Sequence, residues 1–214
     1  MAPSLAYGST RLTLVRHGRV HNPQKIFYGR LPGFGLSRQG LREARCTAQI
    51  LSREPLAAVY ASPLLRARQT AAAIQAHHKH LKIQTSTLLT EVYSPYEGRA
   101  SKEVDALGGD VYSGTAAPYE QPQDIIRRVQ KFVRRVRNHF AGRQVVAVTH
   151  GDVITFMLLW ASDLPPTPMN KRNLSAAGLS DRYPATASMS TFVYRTSAID
   201  ERPLVAYNRS ECPL

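Results

Sequence analysis

Two histidines in this sequence follow predicted strands and could take part in chemistry. Residues 16–18 (Arg-His-Gly) follow the apolar segment 11–15, and residues 149–151 (Thr-His-Gly) close and follow the apolar segment 144–149. In open parallel sheets, ligands bind beyond the carboxyl ends of the strands. Because both histidines occupy such positions, we expect them to face one small site, although they lie 133 residues apart in the sequence.

The residue types near these histidines suit a phosphate monoester, which carries nearly two negative charges at neutral pH. Arg16, and Arg66 one turn into a predicted helix, could each grip phosphate through two N–H donors. Gly18 and Gly151 allow close approach of the backbone. A histidine without a metal can attack phosphorus, and neighbouring guanidinium groups keep it neutral because they disfavour the imidazolium form. The sequence therefore predicts a site that binds and transfers a phosphoryl group.

Other classes of phosphoryl-transfer enzyme carry sequence motifs that this chain lacks. The chain has no Gly-x4-Gly-Lys-Ser/Thr loop and no Gly-x-Ser-x-Gly elbow, and Cys46 lacks an arginine at the spacing of a cysteine phosphatase loop. The carboxylates form no evident two-metal cluster. Metal-activated water is therefore a weak option.

Strands and helices alternate along the chain, which favours a parallel sheet covered by helices. Ser37 and Ser62 are the predicted N-caps of the first two helices. The predicted strands span residues 11–15, 57–61, 83–88, 144–149, 189–194 and 204–207. The predicted helices span residues 38–51, 62–78 and 121–140, with a further helix from 152.

No repeat or interdomain linker interrupts this pattern, so residues 1–214 are expected to form a single domain. The stretch 92–123 carries Gly, Pro, Ser and Tyr without sustained periodicity. A lid or a substrate-specificity segment is predicted there.

Composition restricts the partners and the location. The formal net charge is +13, and 22 of the 28 basic residues are arginines. This charge attracts polyanions, although solubility explains most such excesses, so nucleic acid is only a minor hypothesis. No apolar run is long enough for a membrane helix and no secretory signal is recognised, so no membrane partner and a cytoplasmic location are expected. Cys46 and Cys212 are expected to be free thiols.

Two further groups of charged or titratable side chains are interpreted as surface. The histidines at 77, 78 and 80 lie at the end of a predicted helix, where exposed polar residues are common. Arginines cover the predicted outer side of the helix 121–140, at positions 127, 128, 134, 135 and 137.

Three ordered motifs resemble those of the histidine phosphatase superfamily, also called the phosphoglycerate mutase-like family. Residues 16–18 look like its Arg-His-Gly signature, residues 62–67 (Ser-Pro-Leu-Leu-Arg-Ala) resemble its Ser-x-Leu-x-Arg-Ala segment, and residues 149–151 resemble its second histidine motif. The resemblance spans roughly residues 11–194. It implies an α/β fold, a three-layer α/β/α sandwich around a central, mostly parallel sheet.

The resemblance also implies a mechanism and the residues that carry it out. His17 would attack phosphorus and form a phosphohistidine, while Glu91 protonates the leaving oxygen and water then releases phosphate. Arg16, Arg66 and His150 would hold the transferring group. The resemblance implies that no metal or other cofactor is needed.

Further residues are candidates for the same site. The segment 88–98 is similar to the one that carries the family's acidic proton donor; Glu91 is the first candidate and Glu97 the rival. Asn22 is similar to the asparagine that helps to hold phosphate. Tyr28 and Arg30 lie in a loop at the edge of the proposed pocket and are expected to touch substrate.

These inferences predict a metal-independent phosphatase that hydrolyses a small phosphorylated metabolite. Phosphoglycerate mutase-type phosphoryl transfer is one alternative. Acid–base cleavage of RNA without a covalent adduct is a second, and a non-catalytic phosphate- or polyanion-binding module is a third. The physiological substrate and the oligomeric state are not determined by the sequence, which leaves a homodimer open.

Overall fold

A six-stranded mixed sheet lies at the centre of the protein. The computed structural model describes residues 8–198 and 200–209. In these residues the strands are β1 (Thr10–Arg16), β2 (Leu56–Ala61), β3 (Ile83–Thr85), β4 (Gln144–Thr149), β5 (Met189–Tyr194) and β6 (Leu204–Asn208). The α-helices are α1 (Arg38–Leu51), α2 (Leu65–Gln75), α3 (Ser101–Ala106), α4 (Pro122–His139), α5 (Gly151–Ala161) and α6 (Pro168–Lys171).

The strand order is β3-β2-β4-β1-β5-β6. Strands β3, β2, β4 and β1 run parallel, whereas β5 pairs antiparallel with β1 and with β6. The carboxyl ends of β2, β4 and β1 are therefore neighbours at one edge of the sheet, with β4 in the middle.

Helices cover both faces of the sheet, because alternate strand residues point to opposite sides. In β4, Val145 and Ala147 belong to a core shared with α4 and α5, and Val146 and Val148 belong to a core shared with α1 and α2. All six residues of β4 are buried, as expected for a strand covered on both faces. The predicted three-layer α/β/α sandwich with a mostly parallel sheet is confirmed.

Local sequence signals explain where most elements begin. The Ser37 side chain caps α1 by accepting a hydrogen bond from the Gly40 N–H at 3.0 Å, as predicted. Helix α4 begins at Pro122, and the Asp124 carboxylate accepts from the Gln121 N–H at 3.0 Å. The predicted strands 144–149 and 189–194 have the observed bounds.

Two of the predicted elements differ from the observed ones by three residues at an end, and the others by at most one. The N-cap of α2 is Leu64 and not Ser62, because the Ser62 hydroxyl bonds to His150 instead. Strand β3 ends at Thr85, earlier than predicted, and a 3₁₀ turn follows at Thr87–Leu89.

The prediction of a solvent-exposed side chain is wrong at three positions. His78 is buried, with Nε2 3.0 Å from the Leu51 carbonyl. Arg128 and Arg137 bend away from solvent to pair with Glu120 and Glu201, at 2.8 and 2.9 Å. Periodicity places a Cα on a helix face, but a long side chain can reach around that face to a buried carboxylate.

Cys46 is disulfide-bonded, so the expectation of a free thiol is wrong for this residue. Cys212 lies outside the described residues. A disulfide depends on the distance between two residues in space, which their separation in the sequence does not show.

Of the helices within the described ranges, none has both the length and the apolar character that crossing a bilayer requires.

Candidate active site

The ends of β1, β2 and β4 bring the two motif histidines together. His17 follows β1 and donates its backbone N–H to the Thr149 carbonyl at 3.0 Å, which ties it to the end of β4. His150 directly follows β4. The imidazole centroids of His17 and His150 lie 5.2 Å apart, and both side chains are buried. The fold therefore places both histidines in one site, as the two strand ends predict.

The hydrogen bonds of His17 show which of its two ring nitrogens carries the proton. Nδ1 lies 2.8 Å from the Gly18 carbonyl, which can only accept, so Nδ1 carries the proton. The Arg66 Nε–H donates to Nε2 at 3.2 Å, which requires Nε2 to be unprotonated. Burial, followed by the charges of Arg66 and Arg16, holds the pKa of His17 well below its usual value. His17 is therefore a neutral imidazole whose Nε2 is unprotonated.

His150 is the second neutral imidazole. Its Nε2 lies 2.7 Å from the Ser62 hydroxyl, which can donate to it and so leave the proton on Nδ1. Burial and the charge of Arg66 hold the pKa of His150 well below its usual value. Nδ1 is buried and, among the described residues, has no hydrogen-bond partner.

Arg66 is fully buried beside His17. Its Nη2 donates to the Gly29 carbonyl at 2.7 Å, and its guanidinium lies over the Tyr28 ring at 4.7 Å. Its Nη1 is buried without a partner in the described part of the chain.

Arg16 is fixed in a similar way. Nη1 donates to the Pro184 carbonyl at 2.6 Å, and the guanidinium lies over the Tyr183 ring at 5.0 Å. Its Nε is buried and finds no acceptor in residues 8–198 and 200–209. An anionic ligand would satisfy unpaired donors of this kind, because most buried polar groups in proteins are hydrogen-bonded.

Glu91 is the acidic residue that reaches the histidines. Its Oε2 lies 3.7 Å from His150 Nδ1, and its Oε1 accepts from the Val92 N–H at 2.9 Å. Burial, and next the charge of Asp152, raise the pKa of the Glu91 carboxyl. A raised pKa keeps part of this group protonated nearer to neutral pH, which suits a general acid.

Glu97, the rival proton donor, points elsewhere. Its Oε1 accepts from the Arg30 backbone N–H at 2.7 Å, beneath Gly29, where a Cβ would lie only 2.4 Å from the same oxygen. Burial raises the pKa of Glu97 as well, but the side chain does not line the cavity described below.

Four of the residues predicted to contact substrate make contacts that hold the surrounding backbone in place. A Cβ at Gly18 would lie 2.4 Å from the Gly40 carbonyl oxygen, and one at Gly151 would lie 2.1 Å from the Tyr183 hydroxyl, so both positions are tight packing contacts. The Asn22 amide donates to the Ile26 carbonyl at 2.8 Å and accepts from its N–H at 3.2 Å. The Arg30 Nε donates to the Glu91 carbonyl at 2.7 Å.

A cavity of about 610 Å³ adjoins the site, and Arg16, Tyr28 and Glu91 are among the residues that line it. His17, Arg66 and His150 lie behind these residues and are not part of its lining, whereas residues of the stretch 92–123, including Ser101 and Val104 of α3, are. Tyr28 is therefore the loop residue that the structure brings to the cavity.

A buried polar cluster at the start of α5 was not identified from the sequence. The Asp152 carboxylate accepts from Lys171 Nζ at 2.8 Å, from the Tyr183 hydroxyl at 2.6 Å and from the Tyr112 hydroxyl. Asp152, Lys171 and Tyr183 line the cavity. These residues come from different loops without a shared spacing, so only the proximity of Asp152 to His150 in the sequence could have indicated them.

One set of side chains could in principle hold a metal ion. Ligand atoms of His17, Glu91 and His150 lie within 4.8 Å of one another. The guanidinium groups of Arg16 and Arg66 lower the pKa of His17 through their charge, and the same field repels a dication. The electrostatics therefore favour an anion at this position.

A family model for the histidine phosphatase superfamily (branch 1) matches residues 12–184. The chain belongs to the histidine phosphatase superfamily. This membership confirms the resemblance found in the sequence and the expected enzyme class, a phosphoric monoester hydrolase.

Two curated relatives of this histidine phosphatase illustrate the range of similarity. It is 40% identical to the uncharacterized protein Rv0525 of Mycobacterium tuberculosis over 148 residues, which are 66% of this chain and 73% of the relative. It is 31% identical over 150 residues to phosphoserine phosphatase 1 of Hydrogenobacter thermophilus, covering 65% of this chain and 70% of the relative.

Solved structures share its fold. The mycobacterial glucosyl-3-phosphoglycerate phosphatase Rv2419c superimposes with a TM-score of 0.70 at 20% identity, covering 94% of this chain and 98% of the other. Bacillus stearothermophilus YhfR gives a TM-score of 0.71 at 23% identity, covering 86% and 90%.

The lowered histidine pKa values predict an acid-dependent loss of stability in this histidine phosphatase. Unfolding returns His17 and His150 to a pKa near 6.5. Below that pH the unfolded state binds more protons than the folded state, and this stabilises the unfolded state relative to the folded one. As the pH falls from 6.5 towards the lower folded pKa values, each histidine should lower the free energy of unfolding by up to about 1.4 kcal/mol per pH unit.

The measurement is the free energy of unfolding in urea between pH 7 and 5, for the wild type and for His150→Asn. The variant should show a shallower loss over this range, while His77→Asn, at an exposed position, should match the wild type. Identical pH slopes for the wild type and His150→Asn would show that His150 is not buried in its neutral form.

Proposed function

We propose that this protein hydrolyses a small phosphorylated metabolite, without a metal, through a phosphohistidine formed on His17. The observation that supports this most is the set of buried donors left unpaired around His17. Arg66 Nη1, Arg16 Nε and His150 Nδ1 are polar atoms without partners in the described chain, beside a neutral Nε2. A phosphoryl group would satisfy them with its oxygens while its phosphorus faces Nε2.

In the first step, the lone pair of His17 Nε2 forms a bond to phosphorus as the P–O bond to the leaving group breaks. Arg16 and Arg66 balance the charge on the phosphoryl oxygens. Glu91, in its protonated form, gives its proton to the leaving oxygen, so the alcohol departs neutral. The positive charge on the phosphorylated imidazole is offset by the phosphoryl group that it carries.

In the second step, water attacks the phosphohistidine and the P–N bond breaks. The Glu91 carboxylate now takes a proton from the attacking water, which restores the acid for the next turnover. The bonding electrons return to Nε2, so His17 becomes a neutral imidazole again, and inorganic phosphate leaves.

The size of the cavity supports a small organic substrate. A volume of about 610 Å³ lies within the range of about 300–1,000 Å³ typical of small-molecule sites and far exceeds the needs of phosphate alone. Two similar proteins are named as phosphatases of phosphoserine and of glucosyl-3-phosphoglycerate, which are both small monoesters. The stretch 92–123 would act as the specificity segment of a single domain, because several of its residues line this cavity.

The direct test is release of phosphate from p-nitrophenyl phosphate and 2-glycerol phosphate in excess chelator. We expect steady hydrolysis of both, because the positive charge of Arg16 and Arg66 takes the place of a metal ion. Loss of activity in chelator with recovery on adding a metal would contradict the proposal. Isomerisation of 3-phosphoglycerate in the presence of its bisphosphate, without net phosphate release, would instead indicate a mutase.

A further inference from the structure

Glu120 lies between two arginines beside the segment that carries Glu91. Its Oε2 accepts from Arg30 Nη2 at 2.7 Å, and its Oε1 accepts from Arg128 Nε at 2.8 Å. Oε2 also accepts from the Tyr93 N–H at 3.0 Å. The Glu120 and Arg128 side chains are only 18% and 13% exposed, so this ion-pair network is largely shielded from water.

Both arginines also donate to the main chain of Glu91. Arg30 Nε lies 2.7 Å and Arg128 Nη2 lies 3.4 Å from the Glu91 carbonyl oxygen. Arg128 Nη1 donates to the Leu88 carbonyl at 2.7 Å. The backbone on either side of the Glu91 Cα is thus held by guanidinium groups that Glu120 fixes in place.

These hydrogen bonds from arginine side chains take the place of the backbone hydrogen bonds that a helix or strand would provide. Residues 90–94 belong to neither kind of element, so no ladder of backbone hydrogen bonds fixes the position of Glu91. A proton donor must come within about 2.6–3.2 Å of the oxygen that it protonates, and small displacements are costly. A rigid external clamp is therefore a physical requirement for Glu91 to act.

We propose that Glu120 is a positioning residue for the proton donor, acting through Arg30 and Arg128. The inference rests on the proposed function, in which Glu91 protonates the leaving group. Glu120, Arg30 and Arg128 do not line the cavity, and the hydrogen bonds of the two arginines reach the Glu91 carbonyl, so we expect these residues to act through the placement of Glu91.

The proposal predicts an effect that depends on the leaving group. In Glu120→Gln, an amide replaces the carboxylate, and the two guanidinium groups lose the charge that holds them around the Glu91 carbonyl. Displacement of Glu91 should hinder substrates with a basic leaving oxygen and spare those whose leaving oxygen departs without a proton. We expect kcat/KM to fall about tenfold for 2-glycerol phosphate and less than about twofold for p-nitrophenyl phosphate.

The matched control is Asp163→Asn, which removes an exposed carboxylate that pairs with an arginine, Arg202, but does not line the cavity. It should change neither value. A double-mutant cycle separates positioning from a general loss of structure: in a Glu91→Gln background, Glu120→Gln should have no further effect on 2-glycerol phosphate.

Each result has a definite meaning. Equal losses on both substrates, additive losses in the cycle, or no loss on either substrate would overturn the positioning role. If the wild type hydrolyses neither substrate, or if Glu91→Gln does not distinguish them, the proposed function itself fails. A selective loss that vanishes in the Glu91→Gln background supports the inference.

Discussion

Replacement of His17 by alanine is expected to lower kcat/KM for p-nitrophenyl phosphate by at least about a thousandfold, because the attacking atom is lost. His17 Nε2 is the ring nitrogen left unprotonated by the hydrogen bond from Nδ1 to Gly18. The guanidinium of Arg66, which donates to Nε2, would remain and could still bind phosphate. We therefore expect the inhibition constant of inorganic phosphate to change far less than kcat.

The control variant replaces a histidine that lies outside the site. His77→Ala changes an exposed residue just beyond the C-terminal end of α2 and should retain wild-type kinetics. Substantial turnover by His17→Ala, with the fold intact by circular dichroism, would contradict nucleophilic attack by this residue.

Replacement of Glu91 by glutamine should give the second largest effect, and only on substrates with poor leaving groups. The amide cannot donate an acidic proton, so kcat/KM for 2-glycerol phosphate should fall by about a hundredfold or more. The value for p-nitrophenyl phosphate should fall much less, since nitrophenolate leaves without help. Kinetics with both substrates measure this difference.

Glu97→Gln is the matched control, because it makes the same chemical change six residues away. Its carboxylate accepts from the Arg30 backbone and not from a group at the histidines. If Glu97→Gln lowers kcat/KM selectively for 2-glycerol phosphate and Glu91→Gln does not, Glu97 and not Glu91 is the proton donor.

The sequence alone predicts the arrangement of His17, His150, Arg16 and Arg66, for a physical reason. Three strand-ending motifs, each preceded by a readable apolar run, must meet at one edge once the strands are parallel neighbours. The strand order, with β4 between β2 and β1, produces this meeting. The signal is strong because it depends on local periodicity and on a topological rule.

The roles of Arg30, Asn22, Gly18 and Gly151 could not be predicted in the same way. Their location near the site follows from the sequence, but the atom that each side chain contacts depends on packing between loops. Arg30 turns to Glu120 because that carboxylate arrives from a segment 90 residues away. Gly18 is tight against Gly40 because α1 packs there, a contact invisible in the sequence.

The buried cluster around Asp152 was missed for a related reason. Tyr112, Lys171 and Tyr183 lie in irregular segments or short helices, where periodicity gives no indication of burial. The signal that exists is chemical: Lys171 is a buried lysine, which requires a partner, but burial itself is known only from the fold.

The central claim, a covalent intermediate on His17, is tested most directly by trapping it. The enzyme is mixed with p-nitrophenyl phosphate, quenched in base within the first turnovers, digested, and analysed by mass spectrometry. The account predicts a base-stable, acid-labile phosphoryl group on the peptide containing residue 17, present in Glu91→Gln and absent in His17→Ala. A phosphoryl group on His150, or turnover with no phosphorylated peptide under conditions that preserve phosphohistidine, would contradict it.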